Sequence, residues 1–335
     1  MTVKITIIGL GQIGASIGLA LAAHKNQVTT VGHDKSAETA RKAQKQGAVE
    51  SISLNLPASC EGADVIVLAI PFDEIHDTLK YIAQDVREDA IVLDTAPGKS
   101  AVAEWAKELL PPERHYIGLT PALNPACLQE SALGLEAARA DLFQKGVIAI
   151  TAPQGTAEGA LKLAADFVAI LGAQPFFADL VEVDGIMASA QLLPGLAAAA
   201  LAETVTAQPG WADIRKMAGR AYSAATQPLD SETSTALTEA ILHNRLNTIR
   251  LLNEYMAALA SLRQDIVEEN KKELQARLER ARQGHLLWQL ERGKGDWQAV
   301  ESGRQEMPTV RGIMKQQIGG LDKLFRRGGR KPDED

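Results

Sequence analysis

The stretch VKITIIGLGQIGASIGLALAA, Val3 to Ala23, leaves this chain few folds to choose from. A run rich in β-branched residues ends at Gly9, and after Gly14 small and apolar residues recur at helical spacing. This reads as strand, tight turn and helix. Gly9, Gly11 and Gly14 stand at GxGxxG spacing, and a second strand, QVTTVGHD, ends at Asp34, 20 residues beyond Gly14. Each glycine then has a task. Gly9 permits the turn, Gly11 leaves room for a pyrophosphate, Gly14 lets helix and strand approach, and the helix N-terminus attracts negative charge. The turn residues Gly9, Leu10, Gly11, Gln12, Ile13 and Gly14 are therefore expected to bind a dinucleotide.

Asp34 can accept hydrogen bonds from both ribose hydroxyls and would repel a 2′-phosphate, which favours NAD over NADP. His33 and Lys35 soften that preference, so NADP stays as an alternative. Asp34 has a second reading, as N-cap of a helix beginning near Ser36. Ile70 and Pro71, at the end of ADVIVLAIP, are expected near a cofactor ribose, unless they merely end a strand at a proline.

Strand and helix signals continue to alternate. A helix near 73–86 leads to AIVLDTAPG, a helix near 101–110 leads to HYIGL, and GVIAIT adds another strand. The pattern implies an α/β fold with a doubly wound parallel Rossmann sheet, followed by an all-α domain in which dimerisation is expected. The expected divisions are 1–178 for the nucleotide-binding domain, 179–290 for a helical substrate and dimerisation domain, and 291–335 for a C-terminal extension with a frayed tail. Residues 180–207 are apolar on almost every face, so they should be surrounded, by their own domain or by a second subunit. From Ser261 to Gln283, charges of both signs alternate around a narrow apolar stripe, which reads as one surface helix.

Composition limits the chemistry. A net charge of −7 gives no basic field for a phosphate backbone, so small-molecule work is expected instead of nucleic-acid binding. Cys60 and Cys127 are isolated and the six histidines form no HxxxH pair, so neither a disulfide framework nor a metal site is expected. The N-terminus reads as a strand, not a leader, and a reducing cytoplasm fits. Gln191, Pro194 and many alanines interrupt the most apolar segment, GIMASAQLLPGLAAAALAETV, which reads as a buried helix and not a membrane span.

Several segments, IIGLGQIGASIGLAL, VLAIPFDEI, VLDTAPGKSAV, LEAARADLFQKGVIAITAP and ILHNRLNTIRLLNEYMAALASLRQDI, give the chain a resemblance to the prephenate and arogenate dehydrogenase family over roughly residues 3–290. The resemblance implies a homodimer that oxidises prephenate or arogenate with NAD(P) and releases carbon dioxide, in tyrosine biosynthesis. The departures fall at the chemistry. Thr120 stands where the family has a histidine before Pro121, and Pro97 replaces a serine in DTAPGK. QLLPG lacks both histidines of a family motif, and AGRAYSA keeps Arg220 but has Ala224 in place of a second, carboxylate-gripping arginine.

The remaining candidates each carry two readings. Lys99 orients substrate or nicotinamide, or is a solvated lysine at a helix start. Thr120 and Asn124 hydrogen-bond a substrate or shape a turn between prolines. Gln191 needs an amide partner, in substrate, backbone or a second subunit. Arg220 and Arg245 bind an anion or pair on a helix surface, with Arg220 the expected substrate ligand, and His243 is more naturally structural. Two rivals remain open beside the family's reaction: a diverged dehydrogenase or reductase of another small acid or imine, and a non-catalytic NAD-binding regulator.

Overall fold

Short strands rich in apolar residues run through the first half of the chain, and a strand buried on both faces needs helices on both sides of its sheet. The computed structural model describes residues 2–128, 130 and 132–295. Eight strands form one sheet: β1 (Val3–Ile8), β2 (Val28–His33), β3 (Ser51–Ile52), β4 (Val65–Leu68), β5 (Ile91–Asp94), β6 (His115–Ala122), β7 (Val147–Thr151) and β8 (Gln174–Phe177). Their order is β3-β2-β1-β4-β5-β6-β7-β8, so the chain reverses direction across the sheet between β1 and β4. All residues of β4 and β5 are buried. Helices α1 (Gln12–Leu21), α2 (Ala37–Lys45), α3 (Leu56–Cys60), α4 (Phe72–Ile82), α5 (Lys99–Leu109) and α6 (Glu158–Ile170) connect or flank the strands. Two buried apolar clusters result, one containing Ile17 and Phe167, the other Phe72 and Val102.

The sheet is not parallel throughout. β6 and β7 run antiparallel, with Thr120 opposite Ala149 and Gly118 opposite Thr151. A parallel return needs a crossover, usually a helix, but the described residues of 123–146 form 3₁₀ turns at Pro125–Cys127 and Gly134–Ala137 and no α-helix. β6 also extends further than HYIGL, so Thr120 and Pro121 lie in the strand itself.

Beyond the sheet come α7 (Leu180–Met187), α8 (Leu193–Thr206), α9 (Trp211–Met217), α10 (Arg220–Thr226), α11 (Ser234–His243), α12 (Arg245–Val267) and α13 (Lys271–Lys294). The chain divides into two compact units, Met1–Leu259 and the part from Ala260 onward. Within the first, the early helices pack against the sheet domain: Asp184 of α7 accepts hydrogen bonds from the backbone N–H groups of Lys99 (2.7 Å) and Ser100 (3.1 Å), capping α5, and Asn244 Nδ2 donates to the Asp184 carbonyl at 2.7 Å.

One expectation for the helices is narrowed to its second-subunit alternative, and another needs correction. Residues 180–206 are continuous and apolar enough by composition to cross a membrane, yet they are mostly uncovered in the single chain, with Val181 70%, Ile186 44% and Leu201 37% exposed. Their own domain does not surround them, because only the face bearing Asp184, Ala188 and Leu192 turns inward. The charged stretch after Ser261 is not one helix. α12 stops at Val267, Glu269 takes a positive φ of 49°, and the Asn270 side chain caps α13 through Glu273 N–H. α13 continues to Lys294, past the division expected at residue 290, and the expected tail lies outside the described residues.

Candidate active site

A cavity of about 580 Å³ opens at the carboxyl ends of β1, β4, β5 and β6. Its sheet-side wall runs from Ile13 through Ala69 to Phe72 and Thr95 to Pro97, and on to Thr120, Pro121 and Leu123. Its far wall comes from the helices, through Met187, Gln191 and residues 230–233. In open α/β sheets the ligand crevice lies at this position, where the strand order reverses. A second cavity, about 700 Å³, borders α5 and the opposite end of β6 at His115, and the glycine turn does not line it.

The turn beside the first cavity is shaped by close contact. Gly9 has a φ of 88°, and a Cβ there would meet the Ala69 carbonyl oxygen at 2.3 Å. A Cβ on Gly14 would lie 1.9 Å from the Gly9 oxygen, whereas one on Gly11 would meet nothing within 4 Å. The turn is therefore tight against its own sheet and open on the side where an anion would approach. α1 begins here with no side-chain cap and no acidic residue in its first turn, so its N–H groups face that open side unsatisfied. These residues fit the pyrophosphate of a dinucleotide.

Asp34 braces the same turn. Its Oδ2 accepts from Leu10 N–H and its Oδ1 from Ser36 N–H, both at 2.8 Å, which leaves further lone pairs for ribose hydroxyls. The capping role belongs instead to Ser36, whose hydroxyl accepts from Thr39 N–H at 3.2 Å. Lys35 is ion-paired with Glu74, and His33 Nδ1 lies 2.9 Å from the Ser53 carbonyl.

The far wall holds the polar chemistry. Gln191 stands on a π-helical turn, Ala188–Leu192, inserted just before Pro194, which has no N–H to give to an ordinary helical ladder. Its Nε2 donates to Glu232 Oε1. Glu232 is held in place by the start of α11, where the Thr233 hydroxyl accepts from Ala236 N–H at 3.1 Å. Burial pushes the Glu232 carboxyl above the usual carboxylate range; the nearby charge of Asp73 adds to the rise and the Gln191 hydrogen bond opposes it. Glu232 Oε2 is buried without a hydrogen-bond partner, and so is Thr120 Oγ1 on the sheet side, where Thr120 is only 8% exposed.

The other candidates lie elsewhere. Lys99 does not line the cavity and is not solvated: it is fully buried, with Nζ 2.8 Å from Asp94 Oδ1. Asp94 also accepts from Tyr116 Oη at 2.6 Å and Ala96 N–H at 2.9 Å. Burial lowers the Lys99 pKa and Asp94 opposes that, while burial, with the Asp94 charge added, raises Tyr116 well above its ordinary value. Asn124 shapes the loop after β6: its Oδ1 accepts from Ala126 N–H at 3.1 Å and its Nδ2 donates to the Asp141 carbonyl at 3.0 Å. Arg220 is exposed at the start of α10 and Arg245 at the start of α12, neither lining the cavity. The His243 ring packs on Trp105 and Phe72, at 5.1 and 5.6 Å between centroids.

Sequence reasoning thus brought Thr120, Gln191, Ile13, Ile70 and Pro71 to one cavity but missed Glu232. Glu232 sits in QPLDSETST, a polar stretch that reads as an ordinary connection. The one available signal was Gln191, whose buried amide demanded a partner.

Comparison with known proteins gives concordant results. The family model described as "Prephenate dehydrogenase, nucleotide-binding domain" matches residues 17–176, beginning just after the glycine turn. A prephenate dehydrogenase of Lactococcus lactis is 31% identical over 150 residues, 44% of this chain but 40% of that relative. A cyclohexadienyl dehydrogenase of Zymomonas mobilis is 25% identical over 268 residues, covering 79% of this chain and 89% of the relative. Among solved structures, the A. aeolicus prephenate dehydrogenase in complex with hydroxyphenyl propionate and NAD⁺ superposes with a TM-score of 0.73 at 20% identity, over 85% of this chain and 98% of that one.

Proposed function

We propose, since this chain belongs to the prephenate/arogenate dehydrogenase family, that it is an NAD-dependent oxidoreductase acting on a ring hydroxy acid of the prephenate or arogenate type. Carbon dioxide would leave as the ring becomes aromatic, a step of tyrosine synthesis. The observation that carries this reading is the cavity bounded by the glycine turn on one side and by Gln191 and Glu232 on the other. NAD, when bound, supplies a hydride acceptor. The chain's own residues hold and orient: the turn and the N-terminus of α1 take the pyrophosphate, Asp34 the ribose, and Ile70, Pro71 and Leu123 exclude water from the reacting face. NAD is preferred to NADP because Asp34 would repel a 2′-phosphate and Lys35 is engaged by Glu74.

The chain acts as a homodimer in this reading, with the uncovered apolar face of α7 and α8 buried against a second copy; sedimentation at micromolar concentration should show one dimeric species. The enzymatic test is absorbance of reduced nicotinamide on mixing the protein with NAD or NADP and prephenate or arogenate. Turnover of neither acid by well-folded protein would sink the assignment. A second reading, a dehydrogenase of a different small acid, draws on the position of Arg220 outside the cavity, and the same assay with other hydroxy acids decides between them.

A further inference from the structure

We propose that Glu232 is the proton acceptor of this cavity, a catalytic residue positioned by Gln191 and facing the substrate hydroxyl together with Thr120. This rests on the dehydrogenase reading above and supplies what that reading lacks, a base in a site without the family's histidine.

Three observations converge. The first is chemical exclusion: among the described residues lining the cavity there is no histidine, lysine, arginine, cysteine or tyrosine, and the ionisable groups are Asp230 and Glu232. Asp230 is exposed to water, whereas Glu232 is half-buried. The second is hydrogen bonding. Gln191 fixes Oε1 and leaves Oε2 buried and unpartnered, on a residue that lines the cavity. The third comes from the opposite wall, where the Thr120 hydroxyl is more than nine-tenths buried without a partner. Buried polar groups are normally hydrogen-bonded, so an unpaired hydroxyl and an unpaired carboxylate oxygen on residues lining one cavity suit a ligand hydroxyl as their common partner.

The electrostatics suit the role. The charge of Asp73 on α4 bears on Glu232, Asp230 on the preceding turn lines the same cavity, and no cation stands among the described cavity-lining residues to hold Glu232 ionised. Its raised pKa brings it closer to the working pH, where a general base is most effective. The step balances simply. The substrate hydroxyl proton passes to Glu232 Oε2 as the carbinol C–H bond breaks, its electron pair leaving as hydride, and a carbonyl forms. When the ring carboxylate departs as carbon dioxide, the electron pair of the broken C–C bond moves through the ring to the oxygen, which takes the proton back from Glu232 as a phenol. No net proton is released.

The experiment compares wild type with Glu232→Gln, Glu232→Asp and Gln191→Ala in the full chain. For E232Q we expect kcat to fall about 10²- to 10⁴-fold, with NAD affinity by calorimetry unchanged and the acid limb of the kcat/KM profile gone. E232D should keep that limb. Q191A should move it to higher pH, because the hydrogen bond that opposes the rise is removed, a shift that a merely structural role for Gln191 would not produce. E232Q with near-normal turnover and an unaltered limb overturns the proposal. If the wild type turns over neither ring acid, the dehydrogenase reading fails by itself, and Glu232 is judged by binding of 4-hydroxyphenylpyruvate to the NAD complex. Affinity should fall as pH drops through the Glu232 titration in wild type and be flat in E232Q. The same pH dependence in both, or no binding at any pH, overturns it.

Discussion

Two polar clusters flank the carboxyl ends of β5 and β6, and they are built on opposite principles. In the first, Lys99, Asp94 and Tyr116 are buried with both Asp94 oxygens occupied and the Lys99 ammonium directed at Asp94. In the second, Thr120 and Glu232 each present a buried oxygen that nothing in the described chain satisfies. A closed network rigidifies and specifies a core, whereas an open one carries an unpaid desolvation penalty that a ligand can relieve. Burial alone would have ranked Lys99 as the stronger functional candidate. Completeness of hydrogen bonding separates the two.

The comparison can be broken at either cluster. The largest effect is expected for Glu232→Gln, with the loss of turnover given above and no loss of stability. The sign follows from the raised carboxyl: a folded-state pKa above the unfolded value contributes stability that is fully present below the unfolded pKa and is lost as pH rises through the folded pKa. Gln cannot ionise, so thermal melting should find E232Q at least as stable as wild type at neutral pH, with the two converging in acid. A marked drop in its Tm at neutral pH would place Glu232 among the structural residues.

Lys99→Met should do the reverse. Leaving Asp94 buried and unpaired is expected to destabilise by about 3–5 kcal/mol in urea titrations, while any active fraction keeps the wild-type pH limb. Unchanged stability would contradict the closed-network description. Asp34→Ala comes next: loss of hydrogen bonds to a charged group, worth about 1.5–3 kcal/mol, predicts roughly 10- to 100-fold weaker NAD binding by calorimetry. Some slackening of the turn should accompany it, because Leu10 N–H loses its acceptor. The smallest effect is expected for Thr120→Val, near-isosteric and free of the orphaned hydroxyl. It should leave stability level or slightly raised and reduce kcat/KM by about 10-fold, the worth of one hydrogen bond; undiminished kcat/KM would remove Thr120 from the site.

Much of the first unit is legible in its sequence because the determinants are local. The strand, turn and helix of residues 3–21 follow from β-branched residues, three glycines and helical spacing, and the structure places them there. The antiparallel return of β7 was hidden because residues 123–146 carry no strong helix signal, and the turn chemistry of Asn124 reads the same whichever way the chain goes next. Asn124 and Lys99 illustrate a general limit. A polar residue near a strand end looks alike in sequence whether its partners are backbone, a buried ion or a substrate.

What the sequence determined by itself is the cofactor end, since a glycine that needs positive φ, a glycine that must admit a close backbone contact and an acidic residue after the next strand act within one short βαβ segment. What only the tertiary structure decided is the reacting end. Thr120 lies on a strand, Gln191 on a π turn and Glu232 before a helix cap, and they meet only because α7 packs on α5 and β7 while α11 packs on α4. A raised carboxyl pKa and an unsatisfied hydroxyl are products of burial, and burial belongs to the assembled fold, not to any residue read alone.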